Sequence, residues 1–402
     1  MEKSRTADLT SVTTTEFASD AISLLVRTVS QAIRRTGPAI GTEHLLSTLL
    51  DDSEKPGEAL VPGFRESGSL GGEIRARGAE HWARDDSGTV APADGAEAQQ
   101  DAIEVDAAWR EALWVAAGSS KTLRAEGTQR PRPTGALRET LLCALRLARA
   151  QGAPDAHERH LAQALLETPE TRALEALALR RVDLTAAAAA LDAQAEAVRA
   201  GAAPWTAEAE AAPGSVALLR RAGMLGERGT WWARGMLSRM ARAAGDGAPV
   251  LLVLRNEAQR QAVRCGRTAT EPVDLLLAVV ALDRGLTVAG LSLPGELLAA
   301  NSAADELRSA GVRQVDLVRA ATAAASDPAA GPAIAADVEH SPATDKAVAQ
   351  TRLLAAERKS ETVGTAHLLT TLLADPDAPP AQLLRQCGAD VAALRTRLDA
   401  QL

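Results

Sequence analysis

The chain has 402 residues, 44 Lys and Arg against 52 Asp and Glu for a formal net charge of −8, and 46% hydrophobic but only 2% aromatic residues. The acidic balance excludes a dedicated nucleic-acid binder, which needs a basic face for phosphates, and the Ala/Leu/Arg-rich, aliphatic composition predicts an all-α protein of two or three domains. Cys143, Cys265 and Cys387 are odd in number and share no CxxC spacing, which argues against a disulfide framework and for reduced thiols in a cytoplasmic protein.

In chain order, residues 1–17 are polar and Thr-rich with no apolar signal core, and the longest strictly apolar run, 275–282, is too short to span a bilayer. No membrane association is therefore expected. Over 16–35, Phe17, Ile22, Leu25, Val26, Val29 and Ile33 recur at three and four residues and predict one amphipathic helix, ended by Gly37-Pro38. Further helices are predicted over 136–151, 250–264 and 345–359. Four stretches biased to Ala, Pro, Gly and charge, 84–100, 120–135, 201–215 and 326–344, read as linkers or loops.

Each predicted helix is followed by a related phrase. The clearest copies are Gly41-Thr42-Glu43-His44-Leu45-Leu46 and Gly364-Thr365-Ala366-His367-Leu368-Leu369; weaker ones are His157-Glu158-Arg159-His160-Leu161 and Glu271-Pro272-Val273-Asp274-Leu275. Three copies then close on Arg181-Val182-Asp183-Leu184, Gly311-Val312 with Val315-Asp316-Leu317, and Gly388-Ala389-Asp390-Val391. Gly-Thr-x-His is not a product of Ala/Leu bias, so four copies of one helical unit are expected. Thr42 and Thr365 stand where an N-cap hydroxyl accepts an orphan backbone N–H, with the preceding Gly allowing the sharp turn. His44, His160 and His367 share one position and read as helix-start side chains that satisfy neighbouring backbone.

This pattern resembles the Clp N-terminal repeat, the substrate- and adaptor-docking domain of Clp-type unfoldases, in which two repeats form one pseudo-symmetric all-helical domain. The resemblance implies two tandem domains, each of two repeats: domain 1 over 11–200, with repeats about 15–80 and 136–192 and an inserted segment about 83–135; a linker or helical connector over 201–235; and domain 2 over 236–402, with repeats about 245–322 and 343–402. It implies as partners Clp substrates, adaptors or unfoldase and protease components, and N-domain-directed cyclic peptides. In some family members the Glu of Gly-Thr-Glu-His helps hold the guanidinium of phosphoarginine-marked substrates; here only Glu43 keeps it, with Arg159, Val273 and Ala366 at the equivalent places. The resemblance thus makes Thr42, Glu43, His44, Thr365 and His367 the candidate binding residues.

Departures from the family are equally informative. No G-x-x-x-x-G-K-[ST] loop occurs, nor any Gly-Lys dipeptide, so this sequence holds no recognisable ATPase motor. All six Trp fall outside the repeat cores: Trp82, Trp109 and Trp114 in the first domain's insertion, and Trp205, Trp231 and Trp232 between the second and third copies. They read either as buried interface residues or as an aromatic docking patch. His157 and His160 have an H-x-x-H spacing that lacks the zinc-protease geometry, no G-x-S-x-G elbow occurs, and no Cys has an activating His beside it. The expectation is a non-enzymatic binding protein with no cofactor and no metal, acting as adaptor, competitor or decoy in Clp-dependent proteolysis. Alternatives are an auxiliary subunit of a Clp complex, a protein that sequesters a small molecule or peptide antibiotic, and an enzyme whose site requires a polar cleft not legible in sequence.

Overall fold

The computed structural model describes residues 16–34, 39–51, 56–62, 64–78, 81–84, 86–88, 94–120, 123, 130–200, 214–221, 224–225, 249–325 and 338–402. The fold is all-α, with strands only two residues long. Chain contacts divide it into two compact units, Met1–Ala211 and Ala212–Leu402.

The first unit runs β1 (Glu16–Phe17), α1 (Ser19–Ile33), β2 (Ala39–Ile40), α2 (Thr42–Asp51), α3 (Pro56–Leu60), α4 (Phe64–Ala76), α5 (Ala96–Ser119), β3 (Arg132–Pro133), α6 (Gly135–Ala150), β4 (Asp155–Ala156), α7 (Glu158–Glu167), α8 (Arg172–Leu179) and α9 (Leu184–Arg199). The periodic face of α1 buries Ala21, Ile22, Leu24, Leu25, Val29 and Ala32. Its start is tied across the unit: β1 pairs in parallel with β4, and β2 with β3. The first strand of each repeat thereby pairs with the second strand of the other, a reciprocal exchange that fixes the two repeats about a pseudo-twofold. The residue after each first strand repeats the bond, Ala18 N–H to Ala156 O at 3.0 Å and Thr134 N–H to Ile40 O at 2.9 Å.

The inserted segment contains a long helix, α5, whose first residues fall within the stretch read as a loop at 84–100. It lies along α1 and α6 and buries Val105, Ala108, Trp109, Ala112 and Leu113. Polar bonds seat it: Arg149 binds Asp101 at 2.8 and 2.5 Å, Arg138 binds Asp106, and Glu104 accepts the Phe17 N–H at 3.0 Å. Trp109 is buried and donates to Pro131 O at 3.2 Å, Trp114 is half-buried, and the half-buried Trp82 lies under the Arg77 guanidinium, 4.7 Å from its ring centroid. Trp205, Trp231 and Trp232 lie outside the described residues.

The second unit runs α10 (Gly214–Arg221), α11 (Pro249–Arg264), β5 (Ala269–Thr270), α12 (Pro272–Val288), α13 (Gly295–Leu298), a 3-10 turn (Ala299–Asn301), α14 (Ala303–Ser309), α15 (Gln314–Ala325), β6 (Glu339–His340), α16 (Pro342–Glu357), α17 (Thr365–Leu372), α18 (Pro379–Gln386) and α19 (Val391–Gln401). β5 and β6 pair in parallel, and Ser341 N–H bonds Thr270 O at 3.1 Å, as Thr134 bonds Ile40 in the first unit. One aliphatic core runs from Val216 and Leu219 of α10 to Leu394 and Leu398 of α19. The Pro-containing stretch read as a loop at 326–344 ends in structure: Ser341 caps α16 by accepting from Thr344 N–H and Pro342 occupies the first turn, where a missing N–H costs nothing.

Among the described residues, seven turns close with a left-handed residue that lets a later N–H reach back five residues, the helix-terminating arrangement that Gly favours. Gly152, Gly266, Gly290, Gly311 and Gly388 serve five of them, while Arg181 (φ 53°) and Lys359 (φ 55°) adopt the same conformation as non-glycine residues. No disulfide joins Cys143, Cys265 or Cys387. Among the described residues no helix is long and apolar enough to cross a membrane.

Candidate functional site: the helix starts where repeats meet

Every repeat begins its second helix with the same bond. Gly41 N–H donates to His44 Nδ1 at 3.1 Å, His157 N–H to His160 Nδ1 at 2.8 Å and Gly364 N–H to His367 Nδ1 at 3.3 Å; in the third repeat Glu271 N–H donates to Asp274 Oδ2 at 2.8 Å. A residue in the first turn thus reaches back to satisfy the N–H of the residue before the helix, one half of a capping box. At His160 and His367 an Nδ1 that accepts places the imidazole proton on Nε2; His44 Nδ1 also faces the Glu43 carboxylate. The expected cap role of Thr42 and Thr365 is corrected here: both are the first helical residues, and the preceding Gly41 and Gly364 hold the cap position. Crowding disfavours a side chain at both: a Cβ on Gly41 would lie 2.1 Å from Glu43 Oε2 and 2.8 Å from Asp86 Oδ2, and one on Gly364 2.2 Å from Ala300 O.

Freed from capping, Thr42 joins a buried polar cluster. Its N–H and Oγ1 both donate to Asp86 Oδ2, at 2.6 and 2.8 Å, and its Oγ1 accepts the Ala173 N–H at 3.1 Å. The other Asp86 oxygen accepts the Arg172 N–H at 2.9 Å. One carboxylate from the inserted segment therefore closes the N-termini of α2 and α8, where exposed N–H groups and helix dipoles favour negative charge. Asp86 has no solvent exposure. Burial, the largest influence, pushes its carboxyl up, with the Glu43 charge adding, against the N–H bonds from Arg172 and Thr42.

Glu43 is 3% exposed, and its Oε1 lies 3.1 Å from Arg172 Nη1 and 3.2 Å from His44 Nδ1. Burial alone raises its carboxyl, but the contacts with His44, followed by the Glu43 N–H and the Arg172 charge, outweigh this and hold it below the usual carboxylate range. Its second oxygen, Oε2, is buried with no hydrogen-bond partner among the described residues.

In the second repeat, Asp20 of α1 lies 3.1 and 3.2 Å from His157 Nδ1 and accepts the Glu158 N–H at 3.2 Å, while Glu158 pairs with Arg27 at 2.9 Å. Burial, with the charges of Arg159 and His157, pushes the fully buried His160 down to about 2, so it is neutral. In the fourth repeat Asn301 takes the place of Asp86, its Oδ1 accepting the Thr365 N–H at 3.0 Å. His367 Nε2 lies 2.9 Å from Ser360 Oγ, and burial together with the Arg358 charge lowers the imidazole. In the third repeat Asp274, fully buried against Arg267 at 2.5 Å, is raised by burial to about 6.

The structure therefore gathers Thr42, Glu43 and His44 in one site of the first unit and Thr365 and His367 in a counterpart in the second. Asp86, Arg172 and Asn301 complete these sites and are absent from the sequence-based set. Asp86 sits in a biased stretch with no periodicity, and the pairing of Arg172 with Glu43 spans 129 residues, so no local pattern points to either. Among the described residues no group of three or more His, Cys, Asp or Glu could hold a metal ion.

Residues 339–402, from β6 to the end of α19, match the family model of the Clp repeat (R) N-terminal domain. A comparison with curated proteins finds none that matches.

Proposed function

We propose that this chain is a non-enzymatic, cytoplasmic protein-binding module made of two tandem Clp-N-like domains, which docks substrates or adaptors of a Clp-type unfoldase and acts on that system as adaptor, competitor or decoy. The observation that carries the reading is the helix start at Gly364 and His367: it lies inside the segment that matches the Clp repeat family, and the same bond recurs at Gly41 with His44 and at His157 with His160. The reciprocal strand pairing in the first unit adds to it, because two such repeats bury each other's helix starts and leave a single two-repeat body. Its candidate binding residues are those of the two helix-start sites, Thr42, Glu43 and His44 in one and Thr365 and His367 in the other.

Biolayer interferometry with the immobilised full chain tests this against a purified Clp unfoldase, a purified adaptor and an unfolded model substrate such as casein. Saturable binding to at least one is expected. Binding to none of the three overturns the reading. Size-exclusion chromatography with the unfoldase then separates a free-standing binder from a subunit that co-elutes with the hexamer.

A further inference from the structure

The strand exchange that fixes the first unit is half complete in the second. Ala39 of β2 and Ala269 of β5, with the helix starts Ser19 and Pro249, set the first and third repeats in register; Arg132 of β3 and Glu339 of β6, with His160 and His367, set the second and fourth. The pairing of β2 with β3 then corresponds to that of β5 with β6, and the counterpart of β4 is Thr362 with Val363. No ladder forms there. Thr362 and Val363 belong to no strand and make no hydrogen bond to any described residue, whereas Asp155 and Ala156 pair with Glu16 and Phe17, and Ala156 O accepts the Ala18 N–H at 3.0 Å.

Both residues are half-buried, and the Val363 side chain rests on the aliphatic core of the unit. A strand position with unpaired N–H and C=O groups over an apolar floor is a template for another strand. The lane that is filled defines the occupant. There Phe17 is 2% exposed and Ala18 4%, so one large apolar side chain holds the strand as well as its backbone bonds. In register, the third repeat has Asp246, Gly247 and Ala248 where the first has Glu16, Phe17 and Ala18. Gly and Asp are poor strand formers, and Gly247 brings no side chain to bury. The first unit also lays α5 against β1, with Glu104 accepting the Phe17 N–H; among the described residues no helix stands between α15 and β6 to close the second unit in this way.

We infer that Thr362 and Val363 form a strand-addition site in the second unit. An extended segment of a partner protein pairs with them in parallel, as β1 pairs with β4, and sets a large apolar residue, phenylalanine in the first unit's example, where Phe17 lies. In that ladder the segment donates to Val363 O and accepts from the Val363 N–H. The site adjoins the start of α17 but uses backbone groups that none of the helix-start bonds engages. It therefore adds a peptide-binding surface to the proposed docking role, and its experiment needs no Clp component.

Hydrogen exchange of the full chain, read by mass spectrometry with electron-transfer fragmentation, tests this with a synthetic acetylated and amidated peptide of residues 13–20, which carries Glu16, Phe17 and Ala18. With the peptide in excess, the Val363 N–H is expected to exchange at least about tenfold more slowly. The same peptide with Phe17→Gly should protect it less at equal concentration. Three results overturn the inference: no protection of Val363, equal protection by the Phe17→Gly peptide, or protection confined to Asp155 and Ala156. So does a Val363 N–H already protected in the peptide-free chain, because the chain's own segment or a second copy then fills the lane.

Discussion

Asp274 does with a carboxylate oxygen what His160 does with an imidazole nitrogen: each accepts, at 2.8 Å, the backbone N–H of the residue three positions before it. Two unlike side chains serve one geometric need, the satisfaction of an N–H that the helix itself leaves orphaned. Replacing the acceptor should then cost according to burial. His160→Ala leaves a buried donor and a hole and is expected to destabilise the first unit by roughly 2–4 kcal/mol. His44→Ala, at a site where the side chain is 18% exposed, should cost about 1 kcal/mol. Urea unfolding of the two variants checks the order, and an equal or reversed cost contradicts it.

His160 and Asp274 should give the two units opposite responses to acid. His160 is neutral in the folded state with its value depressed to about 2 from an ordinary 6.5, so its contribution is complete above about 6.5 and is lost as pH falls below that. Asp274 is raised to about 6 from an ordinary 3.8, so its contribution is complete below about 3.8 and is lost as pH rises through 6. Hydrogen exchange read by mass spectrometry, segment by segment between pH 4 and 7, is expected to show the Asp274 contribution as a pH slope of about one proton that Asp274→Asn flattens. A slope unchanged by Asp274→Asn contradicts the assignment.

Asp86 joins two helix N-termini with three hydrogen bonds from Thr42 and Arg172. Asp86→Ala is expected to cost about 2–4 kcal/mol, since buried donors lose their acceptor. Asp86→Asn should recover part of this, because Asn301 already performs the analogous task for Thr365 with a neutral amide. Chemical denaturation of wild type and both variants decides it; an Asn variant no better than Ala shows that the charge, rather than the acceptor, is what matters.

Arg181 and Lys359 hold φ values of 53° and 55° where other repeats place glycine. A left-handed conformation costs an L-residue roughly 1 kcal/mol. Arg181→Gly and Lys359→Gly are therefore expected to raise stability by up to about 1 kcal/mol each, less the extra chain entropy that glycine loses on folding. Thermal unfolding should move upward, and a fall in both variants contradicts the expectation.

Gly41 and Gly364 are both crowded, but by different atoms. A Cβ at 41 meets the Glu43 side chain, which can swing, whereas at 364 it meets the Ala300 carbonyl. Gly364→Ala is expected to destabilise more than Gly41→Ala, by about 1–3 kcal/mol as overpacking against a fixed neighbour. Comparison of the two midpoints in urea tests this.

The sequence alone located four of the helices and the phrase that follows each. Apolar residues at three- and four-residue spacing fix a helix locally, and α1, α6, α11 and α16 begin and end within a few residues of the predicted spans. It also placed His44, His160 and His367 at helix starts, because the bond they make reaches only three residues back. What tertiary structure decided is everything that joins distant segments: the exchange of strands between repeats, the laying of α5 over α1, and the meeting of Asp86, Arg172 and Glu43. Those contacts depend on which helix start faces which, a choice made by packing two repeats together rather than by any local pattern. Even the role of Thr42 followed this division: its hydroxyl was legible as a polar group at a helix start, but only a carboxylate 44 residues away drew it from the cap position into the junction.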